Sequence, residues 1–326
     1  LGPIGLAAAR TVADDKTLKL VGLVDIDPAK VGKGLATLLQ EPKRQGRPNP
    51  TVVGSIAEAV KARPDVAIVT TSSHFNDVIP TLRQCMRHKL HVVSSCEEMA
   101  FPQYQHPFLS KRIDGEARRA KVALLGTGVN PGFVMDYLPV VLSSQVAKVT
   151  RVRAVRRVDA STRRLPLQKK VGATLTREEF SALRDRKAIG HMGIAESVAL
   201  IATGLGRTVR KNSVKVGLEP VIAEKPMDSL LGPIEPGRVC GMQNTASWKG
   251  DGLEIELDLI MALGTPNPHD RIEIDGPVPL RLTIEGGTPG DTATVAALVN
   301  GARVLPAVQP GLHTMLSVPV CGAKGR

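Results

Sequence analysis

The chain has few aromatic residues: they make up 2% of its 326 residues, and Trp248 is the only tryptophan. A platform for stacking single-stranded nucleic acid needs several exposed rings, so that class is disfavoured, and the core has to be built from Val, Leu, Ile and Ala. Four cysteines, Cys85, Cys96, Cys240 and Cys321, lie far apart with no C-x-x-C pair. They form neither a zinc signature nor the dense disulfide framework of a small secreted domain, and no metal is expected. No apolar run approaches the roughly 18 residues needed to cross a bilayer, and no secretory leader is visible. A soluble protein of a reducing cytoplasm, without membrane association, is the expectation. An initiator methionine is also missing, because the sequence begins Leu1-Gly2-Pro3-Ile4-Gly5.

Acidic residues are outnumbered: 31 Asp and Glu face 43 Lys and Arg, for a net charge of +12. Such a balance suits nucleic acid, an anionic surface or an anionic small ligand. The basic residues are spread along the chain, densest between Arg151 and Lys170, and no recognition helix or zinc-finger spacing accompanies them. Nucleic acid is therefore not the expected partner. With 42% hydrophobic and 23% charged residues the composition is that of a globular protein of about two domains.

The first 125 residues alternate short β-rich runs with helical patterns. Strands are expected at Lys19–Asp25, Thr51–Val53, Val66–Val69, His91–Ser95 and Val122–Leu125. Helices are expected at Pro28–Leu39, Ile56–Ala62, Asn76–His88 and Leu109–Lys121, with a polar, proline-rich loop over Glu41–Pro50. Regular βα alternation with apolar strands implies a parallel sheet covered on both faces, the doubly wound α/β architecture. After Gly126 the texture changes. A helix at Phe133–Ser144 leads into longer alternating strands, the clearest being Leu253–Leu263, with Ile255, Leu257, Leu259 and Met261 on one face. Arg271–Asp275 and Leu280–Glu285 continue that pattern, and Asp291–Leu305 reads as a last helix. The expectation is a Rossmann domain over residues 1–128 and an α+β domain with a mainly antiparallel sheet over 129–288. The final helix and tail, 289–326, should pack back on the first domain. A sheet with one wet face also suits a second subunit, so a homodimer is expected.

The opening residues match the last five positions of G-x-G-x-x-G running into an alanine-rich helix. Gly2 would let the chain approach a pyrophosphate, Gly5 would let helix pack on strand, and Pro3 and Ile4 would start a helix whose amides face the phosphates. On this reading the first strand and first glycine lie ahead of Leu1. Asp25 follows Gly5 by 20 residues, where an acid bonds the ribose 2′-hydroxyl of NAD; Lys30 and Lys33 just beyond suit the 2′-phosphate of NADP instead. Both cofactors stay open, NAD being favoured. Asp27 is the better cap for the segment starting at Pro28.

Thr71, Ser72, Ser73 and His74 end the third strand, at the edge of a parallel sheet where ligands lie, although Ser73 also suits helix capping. Glu97 and Glu98 follow the next strand. A carboxylate there could take a proton from a substrate ammonium, or the pair could simply start a solvated helix. Gly126-Thr127-Gly128-Val129-Asn130-Pro131-Gly132-Phe133 forms a rigid turn that brings backbone close to a ligand or joins domains.

Taken together, LGPIG, SSCEEMAFP, GTGVNPGFVMD, DASTRRLPLQKKVGA, GHMGIAES and GDTATVAALVN resemble the 2,4-diaminopentanoate dehydrogenase family and the related amine dehydrogenases. These belong to the wider dihydrodipicolinate reductase-like group, and the similarity runs from Leu1 to about Pro319. The resemblance implies NAD(P)-dependent oxidative deamination: hydride leaves the C4 amine carbon of a diamino acid, and water hydrolyses the imine to a ketone and ammonia. It places a catalytic acid in Glu97-Glu98, with Glu98 preferred because related oxidoreductases carry a catalytic Lys at the second position of a Cys-Glu-Lys run.

An amine must be neutral before hydride leaves its carbon, so a base is required. A substrate carboxylate favours Arg or charged His. Arg156 shares a strand face with Val152, Ala154 and Val158, and so either meets a buried partner or faces a ligand. Arg163, Arg164 and Gln168 are further candidates, while Lys169 and Lys170 should face water. His191 lies in a segment that the family keeps near substrate, and Phe133 and Asn130 join the site by the same resemblance. Thr292 and Thr294 open the last helix, near the nicotinamide or as caps. The rival readings are an imine reductase of the dihydrodipicolinate type and a dinucleotide-binding regulator without turnover.

Overall fold

The computed structural model describes residues 1–42 and 45–323; residues 43–44 of the proline-rich loop and the tail residues 324–326 lie outside this description. The chain divides into two compact units, Leu1–Phe133 with Pro289–Arg326, and Val134–Thr288. Residues 129–133, expected in the second domain, belong to the first unit.

The first unit opens with helix α1 (Pro3–Asp14), which buries Gly5, Ala8, Ala9, Val12 and Ala13. These small side chains let the helix axis lie close to what it covers. Strand β1 (Leu23–Val24) follows, then α2 (Leu35–Leu38), β2 (Val52–Val53) and α3 (Ile56–Ala59), and β1 pairs with β2 in parallel. Both early elements are shorter than expected. The segment from Pro28 turns rather than coils, because Asp25 and Asp27 side chains accept from Asp27 and Ala29 N–H, and Gly32 takes a positive φ of 83°.

Next come β3 (Val66–Val69), α4 (Phe75–Arg87), β4 (His91–Ser94), α5 (Pro107–Ala120) and β5 (Ala123–Gly126). With β14 (Gly311–His313) they give a four-stranded parallel sheet in the order β14-β5-β4-β3. One apolar cluster joins Phe75, Val78, Leu82, Ile113 and Ala117 of α4 and α5 to Val69, Val92 and Leu124 of the strands. Another joins Ala8 and Val12 of α1 to Val295 and Val299 of α10 (Gly290–Val304), with Ile68 of β3 packed against it. Together these clusters make a doubly wound Rossmann sheet.

The second unit holds α6 (Tyr137–Ser143), β6 (Arg151–Asp159), α7 (Leu165–Lys170), α8 (Arg177–Asp185), α9 (Ile194–Gly204) and β7 to β13. The strands are Lys215–Ile222, Met227–Ser229, Gly232–Ile234, Val239–Gly250, Leu253–Ala262, His269–Asp275 and Leu280–Glu285. Six of them form a sheet in the order β13-β12-β6-β11-β10-β7. It is mixed, since β6 runs parallel to β11 while every other neighbouring pair is antiparallel. On β11, Ile255, Leu257, Leu259 and Met261 are buried and Glu254, Glu256 and Asp258 only partly so. Helix α6 starts later than its sequence pattern, because Asp136 takes the Tyr137 N–H on its side chain at 2.6 Å and caps it there. Among the described residues no helix is long and apolar enough to cross a membrane, and no group of three His, Cys, Asp or Glu is placed to hold a metal ion.

Candidate active site

Helix α1 begins with Gly2 as its N-cap and Pro3 in its first turn, with no side chain capping it and no acid in that turn. The first amides of such a helix present partial positive charge to an anion. The two glycines meet opposite surroundings. A Cβ added at Gly2 would meet nothing within 4 Å, whereas one at Gly5 would lie 2.7 Å from Thr70 Oγ1. Gly2 thus leaves room for a group approaching the backbone, and Gly5 lets α1 pass close to the end of β3. These are the two tasks that a dinucleotide pyrophosphate requires of its glycines.

Asp25 ends β1. Its carboxylate accepts from Lys30 Nζ at 3.1 Å and from Asp27 N–H at 2.9 Å. Lys30 also lies 3.3 Å from Asp27, and its pKa is raised by the two carboxylates it serves.

The C-terminal ends of β3, β4 and β5 are tied together by backbone. Ser95 N–H donates to Val69 O at 3.1 Å and Thr127 N–H to Ser94 O at 3.0 Å. This brings the Thr70–His74 segment, the Cys96–Ala100 turn and the glycine turn after β5 to one edge. Gly126 is essential to the arrangement, because a Cβ there would fall 2.3 Å from the Met99 carbonyl group. No larger residue lets the turn bearing Glu97 and Glu98 lie against β5.

Glu98 points into the start of α4. Its Oε2 accepts the Phe75 N–H at 2.6 Å, its own N–H donates to Ser73 O at 3.2 Å, and His74 and His106 flank the carboxylate at 3.4 Å each. The capping role expected of Ser73 is therefore filled by other residues. Ser72 Oγ accepts from His74 N–H and donates to Asp77, and Glu98 takes the first helical amide, while the Ser73 carbonyl serves Glu98 and the Cys96 thiol. Burial, followed by smaller effects that include the nearby carboxylates, pushes the Cys96 thiol up to about 12, so it stays protonated. Glu97 is half-buried beside Glu98, and Thr71 is exposed on the same edge.

In the turn after β5, Thr294 Oγ1 accepts the Val129 N–H at 3.3 Å. Thr294 of α10, rather than the exposed Thr292, therefore meets this turn, and α10 starts at Gly290 without a side-chain cap. Asn130 is half-buried in the turn and Phe133, 40% exposed, ends it.

In the second unit Arg156 has a buried partner. It is 3% exposed, lies 3.2 Å from Asp270 and donates to Thr288 O at 2.7 Å. Burial lowers its pKa, Asp270 raises it, and the charge of Arg163 lowers it further. Gln168, expected to be free for a carboxylate, is fully buried in α7. Its Nε2 donates to the carbonyls of Ala160, Ser161 and Arg163, and its Oε1 accepts Leu230 N–H. It shapes the loop that carries Arg163. His191 is half-buried after Gly190, with Nδ1 2.7 Å from Met192 O.

Comparison with known proteins agrees with this picture. The chain is 28% identical to a 2,4-diaminopentanoate dehydrogenase from Acetoanaerobium sticklandii, over 97% of this chain and 92% of that one. It is 22% identical to an amine dehydrogenase from Streptomyces virginiae, over 100% and 96%. The fold is that of a solved amine dehydrogenase from Mycobacterium smegmatis, with a TM-score of 0.85 at 24% identity over 98% and 95% of the two chains. A dehydrogenase from Clostridium difficile shares it more distantly, with a TM-score of 0.51 at 11% identity over 94% and 88%. Residues 133–324 match the sequence model of the 2,4-diaminopentanoate dehydrogenase C-terminal domain. With a Rossmann unit ahead of that domain, the chain belongs to the 2,4-diaminopentanoate dehydrogenase family of oxidoreductases.

Proposed function

We propose that this chain is an NAD-dependent amine dehydrogenase that oxidises the primary amine of a small amino or diamino acid, reversibly, to a ketone and ammonia. The observation that carries the reading is the Glu98 carboxylate, fixed at 2.6 Å on the first amide of α4 at the C-terminal edge of a parallel sheet. The glycine-capped helix belongs to the same Rossmann unit. The family membership of the chain supports it.

In this scheme the backbone of Gly2, Pro3, Ile4 and Gly5 holds the pyrophosphate, and Asp25 takes the ribose hydroxyls. Thr71, Ser72, Ser73, Asn130 and the start of α10, at Thr292 and Thr294, line the cofactor's remaining length. The dinucleotide supplies the hydride acceptor. Glu98 removes a proton from the substrate ammonium, leaving the nitrogen lone pair that drives hydride off the carbon, and Glu97 adds a second negative charge that attracts the cation. Arg163 takes the substrate carboxylate, and His191 and Phe133 are further substrate contacts.

The test is a panel of amines and diamino acids assayed for NAD+ and NADP+ reduction. The reading expects turnover with a short diamino acid and a preference for NAD+. Glu98→Gln should bind NADH normally yet lower kcat by roughly a hundredfold or more. Asp25→Ser should shift the kcat/KM ratio toward NADP+ by about tenfold. A Glu98→Gln enzyme with unchanged kcat would remove Glu98 from the chemistry.

A further inference from the structure

The Glu98 carboxylate has two distinct ends. Oε2 is anchored by the Phe75 N–H at 2.6 Å, with His106 Nε2 3.4 Å away. Oε1 faces His74 Nδ1 at 3.4 Å. The carboxylate itself is largely sheltered at 13% exposure, His106 is 23% exposed, and His74 is 53% exposed. A base that removes one proton per turnover from a sheltered position must return it to solvent before acting again, and Oε1 has a half-exposed imidazole beside it.

We propose that His74 is a positioning and relay residue that carries the proton from Glu98 to water. This rests on the assignment of Glu98 as the base. In the tautomer that carries hydrogen on Nε2, Nδ1 has the free lone pair that Oε1 requires. The substrate N–H bond breaks as the Glu98 O–H bond forms. The Glu98 O–H bond then breaks as the His74 Nδ1–H bond forms, and the half-exposed imidazolium turns to solvent and releases that Nδ1 proton to water, which restores the starting tautomer. One proton passes from ammonium to solvent and no electrons change hands along the relay. His106 stays on the anchored oxygen and packs against Phe75, with ring centroids 5.8 Å apart. It holds the carboxylate in place.

The other charged groups nearby do not compete for this role. Asp77 in the first turn of α4 is bonded by Ser72. Glu97, next in the chain, is the other carboxyl residue of the turn. The Cys96 thiol remains protonated and bonds to Ser73 O.

The test replaces His74 with Asn, a favoured helix N-cap that keeps α4 started but cannot relay a proton; His74→Gln serves as a second variant. The relay expects kcat to fall about tenfold, KM for the amine to change less than about twofold, and the solvent deuterium effect on kcat to rise. Added imidazole should restore turnover to His74→Asn and leave wild type unaffected. A second readout needs no turnover: in cofactor-free protein, the ring 15N signals of His74 should move on Glu98→Gln, while those of His88, at the other end of α4, stay fixed. Unchanged kcat and isotope effect in both His74 variants, with Glu98→Gln inactive, overturn the relay and leave the base assignment standing. An active Glu98→Gln overturns both.

Discussion

Arg156 and Asp270 approach to 3.2 Å in the second unit, and together they hold both backbone polar groups of Thr288. Asp270 Oδ2 accepts the Thr288 N–H at 2.7 Å, and Arg156 Nη2 donates to the Thr288 carbonyl at 2.7 Å. Two strands, β6 and β12, thereby fix the last residue of their unit. Removing one partner strands a buried charge, so Asp270→Ala should cost roughly 3–5 kcal/mol of stability. Arg156→Met with Asp270→Asn should cost less than Asp270→Ala alone, since no unpaired ion remains. Urea unfolding of the three proteins measures this, and a loss below about 1 kcal/mol in Asp270→Ala would refute the clamp.

Gly126→Ala probes how closely the acidic turn approaches the sheet. The added methyl would fall 2.3 Å from the Met99 carbonyl group, so backbone has to move. A loss of about 1–3 kcal/mol is expected. The displaced Glu97–Ala100 turn should also lower kcat more than cofactor affinity. Gly54→Ala, where nothing lies within 4 Å, is the matched control and should stay within about 0.5 kcal/mol of wild type.

Asp258 provides a pH dependence of defined sign. Burial raises its pKa, but Arg157 Nη2 at 2.5 Å and Gln243 Nε2 at 2.9 Å overcome burial and hold it below the ordinary aspartate value. A carboxyl depressed on folding stabilises the native state above its unfolded pKa of about 3.9, and that contribution disappears as pH falls through the folded value. Stability should therefore decline from about pH 4 downward, and Asp258→Asn should show a shallower acid limb. Urea titrations across that range decide it. An identical acid limb in the variant would exclude Asp258 as a contributor.

The elements that read correctly from sequence are those with a local cause. Val66–Val69, the helix around Asn76–His88 and the alternation on Leu253–Leu263 each advertise themselves within one run of residues. The segment after Pro28 misled because a helical spacing of apolar residues was overruled by two Asx turns and Gly32. The parallel pairing of β6 with β11 was not legible, because it joins strands about a hundred residues apart and leaves no trace in either. The site shows the same division. The glycines, Asp25 and the acid pair stand out by position. The partner of Glu98 is an amide 23 residues away, and those of Arg156 lie 114 and 132 residues off. Gln168 looked like an exposed loop residue because nothing local shows that three carbonyls converge on it.

The pairing of α1 with α10, and of β5 with β14, has a consequence for how the protein is made. On the ribosome, the strands and helices through Phe133 emerge ahead of α10 and β14, so α1 lacks its partner helix on one side of the sheet and β5 has no neighbour on its free edge. The whole second unit is then synthesised before residues 290–313 arrive to close both gaps. The first unit is therefore completed only after the second has been made, with an apolar helix face and an open strand edge waiting while residues 134–288 are synthesised.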